Sequence, residues 1–410
     1  MKEIQGIDLS NMPKELKLIL QIINIENEND TGPINNKYFI DIDWELFLDL
    51  ARHHRIYPLI YSKLNMLDEK LIPLYVSQAL YQEYKENTFQ MLNLSGEMER
   101  VSKLFTENNI RLLFLKGPAI ADAIYGDISL RTSKDLDILI PITDLNKAED
   151  LLLNCGYEKE ESLNKSNKRK WWSHHVSYYH SHKKIEIEIH WRLYRPPANE
   201  PSFDDLWNRK RISTLTSFPV YFFGKEDLFF YLITHGANHG WFRLRWLADI
   251  DQIIRKRDIT MVNNLLPKNR YRDILIGQAL ILTSQLFETP IHEEDLPLAK
   301  EKRSRKLAKS AILYIIEMGR VYNKKSLKDN ELIKYNVNSS FSKMSILKRS
   351  FYIKFYQYSV KTRIQKFFYI MRVLNPTSED LKTLRLPKPL YFLYFPLRPF
   401  LIFWRKTRKS

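Results

Sequence analysis

The sequence predicts an α+β fold that is mostly helical, with a small mixed β-sheet core flanked by N-terminal and C-terminal helical regions. Three observations predict it. Long stretches such as VSQALYQEYKENTFQMLNLSGEMERVSKLF space apolar residues at helical intervals. Glycine supplies only 11 of 410 residues, too few for an architecture built on glycine-rich loops. The alternating segments DLDILI and IEIEIHW lie close together in the middle of the chain, where they read as strands. With 44% apolar residues the chain can fill substantial cores, and its length suits two or three domains.

The elements divide the chain into four regions. Residues 1–110 form an N-terminal helical region, with helical spacing in WELFLDLARHHRIYPLIYSKL and Asp43 placed to cap a helix start. Residues 111–215 form the core. There RLLFLKGP is a short apolar run, PAIADAIYG a helix, DLDILI a strand, and TDLNKAEDLLLNCG a helix that stops at Gly156. EKEESLNKSNKRK is a charged loop, and HHVSYYHSHKKIEIEIHW is two strands joined by the turn SHKK. Residues 216–340 return to helix from about Val220, and residues 341–410 form a basic, aromatic segment.

Composition narrows the setting. MKEIQGIDLSNMPKELKLIL does not read as a signal peptide, and no apolar run approaches the ~18 residues of a membrane span. One cysteine, Cys155, excludes an internal disulfide and fits a reducing compartment, so a cytoplasmic location is expected. The net charge of +16 is concentrated: residues 341–410 hold 16 Lys and Arg against Glu379 and Asp380. Such a surface suits phosphate-bearing partners, and equally a solvated face.

Three Asp-x-Asp pairs occur, and local structure separates them. Asp41 and Asp43 precede a helix. Asp249 and Asp251 lie within one, where two residues turn about 200° and send the carboxylates to opposite sides. Asp135 and Asp137 lie on a strand, so both project from one face. Glu186, Glu188 and His190 share one face of IEIEIHW, with Ile185, Ile187 and Ile189 on the other. Were the two strands adjacent, three or more carboxylates would crowd together, an arrangement that divalent cations relieve. Mg²⁺, or Mn²⁺, with an NTP is the natural occupant, since both prefer carboxylate and phosphate oxygens. The alternative is a solvated hairpin with Glu186 and Glu188 paired to Lys183 or Lys184. Gly117 ends a strand just before a helix start, where phosphate is favoured, and Lys116 and Arg131 add positive charge.

In combination, FLKGPAIADAIYGDISLRTSKDLDILI, the following GYEK and IEIEIHWRL resemble the uncharacterised bacterial nucleotidyltransferase family of the DNA polymerase β superfold. The resemblance covers most of residues 40–255. It implies that Asp135, Asp137 and Glu188 are the catalytic metal ligands, beside the expected nucleotide-binding residues Lys116, Gly117 and Arg131. It also places His235, Arg245 and Asp249, from HGANHGWFRLRWLADID, in the wall of the site. His175, Glu186 and His190 would line the substrate cleft. Two features depart from the pattern. Gly117 lies 18 residues before Asp135, where the superfold usually has its glycine pair about ten residues ahead, and the third acid is Glu rather than Asp.

The implied activity is Mg²⁺-dependent transfer of a nucleoside monophosphate from an NTP to an acceptor oxygen. The acceptor would be a peptide, sugar, small molecule or protein, with tailoring of a peptide natural product as one setting. Residues 158–170 would act as a lid. Two other readings remain: a non-catalytic nucleotide- or peptide-binding module, and a nucleic-acid binder acting through the basic C-terminus. The C-terminal aromatics of LPKPLYFLYFPLRPFLIFWRKTRKS also suit an anionic membrane surface or a core-packing helix pair with a basic outer side. His235 and His239 have zinc-compatible spacing, but HGANH lacks the Glu of the zinc-protease pattern.

Overall fold

Why the first hundred residues become helix is visible in their caps and breaks. The structure, a computed structural model, describes residues 6–25, 36–160, 173–256, 269–326 and 346–407. Helix α1 (Lys14–Ile23) buries Leu16, Leu18, Ile19 and Ile22. Helix α2 (Trp44–His54) starts where the Asp43 carboxylate accepts from the Leu46 N–H at 3.0 Å, as a capping role requires. It ends at Arg55, whose φ of 53° reverses the chain into α3 (Tyr57–Lys63). The single helix α4 (Leu74–Glu107) then turns Met91, Leu94, Met98, Val101 and Phe105 inward.

The chain next builds a seven-stranded mixed sheet. In chain order its strands are β1 (Leu113–Phe114), β2 (Asp135–Leu139), β3 (Glu158–Lys159), β4 (His175–His180), β5 (Ile185–His190), β6 (Arg211–Ser213) and β7 (Val220–Phe222). Their spatial order is β3-β4-β5-β2-β1-β7-β6. Strands β2 and β5 are parallel neighbours, β4 and β5 form the expected hairpin, and β1 pairs antiparallel with β2. Helix α5 (Pro118–Tyr125) follows β1, and α6 (Leu145–Asn154) follows β2, stopping before Gly156 at φ +84°.

Two parts of the sheet differ from expectation. Glu158 and Lys159, read as loop, pair with Tyr179 and Tyr178 as an edge strand. Residues 211–222, which carry no strand signal of useful length, form the hairpin β6–β7, and Phe222 of β7 pairs in parallel with Phe114. Strands of three residues are too short to show alternation, so only pairing reveals them. The remainder of the expected lid, from residue 161 onward, lies outside the described residues.

Helices α7 (Phe203–Asn208), α8 (Lys225–Asn238), α9 (Leu244–Arg255), α10 (Arg270–Leu286), α11 (Leu296–Lys300), α12 (Lys302–Ser326) and α13 (Ile346–Ser359) complete this unit, which comprises Met1–Arg195 and Glu200–Val360. Its core is continuous from the N-terminal helices through Ile138, Ile187 and Ile189 of the sheet to α10 and α12. The inward isoleucines of IEIEIHW are all fully buried.

A second unit comprises Pro196–Asn199 and Lys361–Ser410. Its helices are α14 (Arg363–Leu374), α15 (Ser378–Thr383) and α16 (Tyr394–Thr407), and the buried carboxylate of Asp380 on α15 takes Arg405 at 2.6 Å and Arg398 at 3.4 Å from α16. Two of the segment's many cations thus hold the unit together. The apolar and aromatic side chains of the segment divide: Tyr394 and Leu401 are buried, while Phe400 and Phe403 are 70% and 68% exposed and Trp404 is half exposed. Among the described residues no helix is long and apolar enough to cross a membrane.

Candidate active site

Register brings the acids together. Parallel pairing sets Asp137 directly beside Glu188 and Asp135 beside Glu186, while antiparallel pairing sets Ser177 opposite Glu188 and His175 opposite His190. Because alternate residues share a face, Asp135, Asp137, Glu186, Glu188, His190, Ser177 and His175 all stand on one side of the sheet. Their apolar neighbours fill the other side. A register slip of one residue would bury the carboxylates and expose the isoleucines, so the hydrophobic pattern itself enforces the cluster.

Asp137 is the buried centre. Its Oδ1 accepts from Lys116 Nζ at 3.2 Å and lies 3.2 Å from His190 Nε2, which is also 3.1 Å from Glu188 Oε2. Its Oδ2 is buried and has no hydrogen-bond partner among the described residues. Burial works to raise the Asp137 carboxyl, but the Lys116 charge and the His190 hydrogen bond more than offset it and hold it well below the usual range. Asp135 goes the other way: burial and the neighbouring Asp137 charge raise it. For His190, burial lowers the ring's proton affinity, while hydrogen bonds to Asp137 and Glu188 reverse that and raise it.

Lys116 and Gly117 sit at the turn from β1 into α5. Gly117 has φ +97°, a conformation that a side chain would strain, and Pro118 occupies the first helical turn. The turn delivers the Lys116 ammonium to Asp137.

Arg131, Arg245 and Asp249 are brought together. The Asp249 carboxylate is fully buried on α9 and takes Arg131 through Nε at 3.0 Å and Nη2 at 3.1 Å, with the Tyr125 hydroxyl at 3.0 Å. Arg131 is 1% exposed, and the pair fixes the chain four residues before Asp135. Arg245 donates to the Thr132 carbonyl and, at 3.1 Å, to its hydroxyl, which fixes the next residue. Asp251 points away from Asp249 as helical geometry demands. It is not solvated: it is buried and accepts from Thr289 at 2.6 Å and Arg255 at 2.7 Å.

His235 on α8 packs edge-on against Trp246, and burial followed by the Lys116 charge holds its ring neutral, well below the usual histidine value. The Lys183 partner expected for the hairpin acids goes elsewhere, to Glu97 of α4 at 2.8 Å.

Three nearby residues escaped sequence reasoning. Ser177 enters through register alone. His174 packs edge-on against His175 with ring centroids 4.4 Å apart. Tyr231 is buried on α8, and its hydroxyl is raised by burial and then by the charges of Asp137, Glu188 and Asp135. A tyrosine in the helical run LFFYLITHG carries no local signal; its distance from the carboxylates is tertiary.

The donor set fits a hard divalent cation. Asp137 and Glu188 offer carboxylate oxygens beside the His190 ring, ligand atoms of the three lie within 4.8 Å of one another, and Asp137 Oδ2 is buried and unclaimed.

Comparison with known proteins gives a family and a structural likeness. A family model described as uncharacterised nucleotidyltransferase matches residues 41–286. No curated protein matches the chain. Among solved structures, a match is the crystal structure of an antigenic nucleotidyltransferase-like protein from Paracoccidioides brasiliensis, at 15% identity and a TM-score of 0.29, covering 56% of this chain and 97% of that one.

Proposed function

Since the chain belongs to the uncharacterised nucleotidyltransferase family, we propose that it moves a nucleoside monophosphate from an NTP to an acceptor oxygen at the face shared by β2 and β5. The observation that carries this reading is the pairing of Asp137 with Glu188 on adjacent parallel strands, with Asp135 on the same face.

In this reading Asp135, Asp137 and Glu188 hold Mg²⁺ or Mn²⁺. The ion would neutralise the carboxylates and withdraw charge from the triphosphate. Lys116 holds Asp137 ionised and, on the rim of the same cluster, offers its ammonium to a phosphate. Glu188 is less buried than Asp137 and hydrogen-bonded to His190, so it is the carboxylate placed to accept the acceptor's proton. The acceptor oxygen forms a bond to the α-phosphorus as the bond to pyrophosphate breaks. Arg131, Arg245 and Asp249 act as positioning residues, because they hold the backbone that leads into β2. The acceptor is a peptide, sugar, small molecule or protein, and a cytoplasmic setting suits the lone Cys155.

The test is incubation of the full chain with each α-labelled NTP, Mg²⁺ and a cell extract, followed by separation of labelled products. Label on an acceptor with wild type, and none with Asp137→Asn, is expected. Equal labelling by both would overturn the mechanism.

A further inference from the structure

His190 is shared between two groups of ligands. Besides its place with Asp137 and Glu188, one ring nitrogen from each of His174, His175 and His190 lies within 4.8 Å of the others. From these side chains we propose a second metal site, built of three imidazoles, that takes a borderline transition ion such as Zn²⁺ in preference to Mg²⁺.

The geometry of His190 carries the argument. Its Nε2 faces two carboxylate oxygens, Asp137 Oδ1 at 3.2 Å and Glu188 Oε2 at 3.1 Å. A carboxylate accepts and does not donate, so a ring carrying a single proton holds it on Nε2 and presents its lone pair on Nδ1, the form in which a metal ion displaces any second proton. That Nδ1 is buried and has no hydrogen-bond partner among the described residues, in a side chain only 5% exposed. A histidine whose far nitrogen is tied to a carboxylate while its near nitrogen presents a lone pair is the usual arrangement of a metal-ligating imidazole and its outer support.

His174 and His175 supply the remaining donors. His175 sits directly opposite His190 in the β4–β5 ladder, and the Trp191 N–H donates to the His174 carbonyl, which ties that residue's backbone to the end of β5. His174 Nε2 is 3.3 Å from His175 Nδ1, and His174 Nδ1 is a second buried nitrogen with no partner among the described residues. The three rings lie 4.4 to 5.5 Å apart, centroid to centroid. Nitrogens bound to one zinc ion at about 2.0–2.1 Å stand about 3.3 Å from each other, so modest ring rotations close the site. Arg195 and Lys116 oppose a cation here, and the carboxylates behind His190 favour one. Nitrogen donors select zinc-class ions, while the neighbouring oxygen donors suit Mg²⁺, so the two groups of residues sort two kinds of ion on one sheet face. The inference does not depend on nucleotidyl transfer.

Co²⁺ is the probe, added to the full chain carrying no histidine tag. Visible absorption of a nitrogen-ligated Co²⁺ is expected, saturating at one ion per chain, unchanged by excess Mg²⁺ and abolished by Zn²⁺. His174→Ala and His175→Ala should each weaken Co²⁺ binding at least tenfold, with far-UV circular dichroism confirming the fold. Asp135→Asn should leave the absorption in place. Absence of the absorption, displacement of Co²⁺ by Mg²⁺ in wild type, or unchanged affinity in both folded histidine variants would overturn the proposal. The Mg²⁺ competition needs no variant, and the labelling assay above reports separately on transfer.

Discussion

Breaking the Arg131–Asp249 pair distinguishes an anchor from a phosphate ligand. Asp249→Asn keeps the shape of the side chain and leaves the guanidinium buried and uncompensated, since Arg131 is 1% exposed and holds both carboxylate oxygens at 3.0–3.2 Å. Removing one member of a buried pair costs about 3–5 kcal/mol. Unfolding entropy near 2.1 cal/mol/K per residue, taken over the roughly 350 residues of the larger unit, converts that into a fall in Tm of about 4–7 °C. Arg131→Met should cost a similar amount by stranding the Asp249 charge. The double variant, which removes both charges, should be clearly more stable than the sum of the two effects. Thermal melts and urea titrations of the four proteins, with NTP binding measured on each folded variant, complete the cycle. Single substitutions costing under about 1 kcal/mol, together with weakened NTP binding, would refute the anchor and restore Arg131 as a phosphate contact.

Other outcomes follow from the same contacts. Asp137→Asn should fold but melt lower in the absence of metal, by about 1–3 kcal/mol, because it surrenders a charged bond to Lys116 and His190; a higher Tm would show that repulsion between the acids dominates. Glu97 is opposed by burial yet held down to about 2 by hydrogen bonds from Arg100, Lys183 and Tyr157. Its contribution, on the order of 3 kcal/mol, is present above the unfolded carboxyl value near 4.5 and disappears as pH falls towards 2. Glu97→Gln should therefore destabilise strongly at pH 7 and little at pH 2.5 in urea titrations. Asp251→Ala should cost about 1–3 kcal/mol in the same measurement, since Thr289 loses its buried acceptor and Arg255 loses one of its partners. Phe400→Ser with Phe403→Ser should leave stability within about 0.5 kcal/mol per site, because both rings are exposed; a large loss of Tm would show that they are buried.

Local chemistry is what the sequence by itself determined. Helical spacing, the Asp43 cap, the stop at Gly156 and the alternation of IEIEIHW are written in neighbours a few residues apart, and each element forms where those neighbours specify it. Alternation alone also decided that Asp135 and Asp137 share a face, as do Glu188 and His190. Which strands lie side by side was decided by tertiary structure. Nothing local sets Asp137 beside Glu188; the parallel register does, because it alone buries Ile138 and Ile189 together on the other side. The same holds for Arg131. As a residue type it suits a phosphate, but α9 brings the Asp249 carboxylate to it across 118 positions of chain, and a charge removed from water must take the nearest opposite charge. The short strands β6 and β7 and the site-facing Tyr231 depend likewise on partners distant in sequence, and partners of that kind leave no periodicity to read.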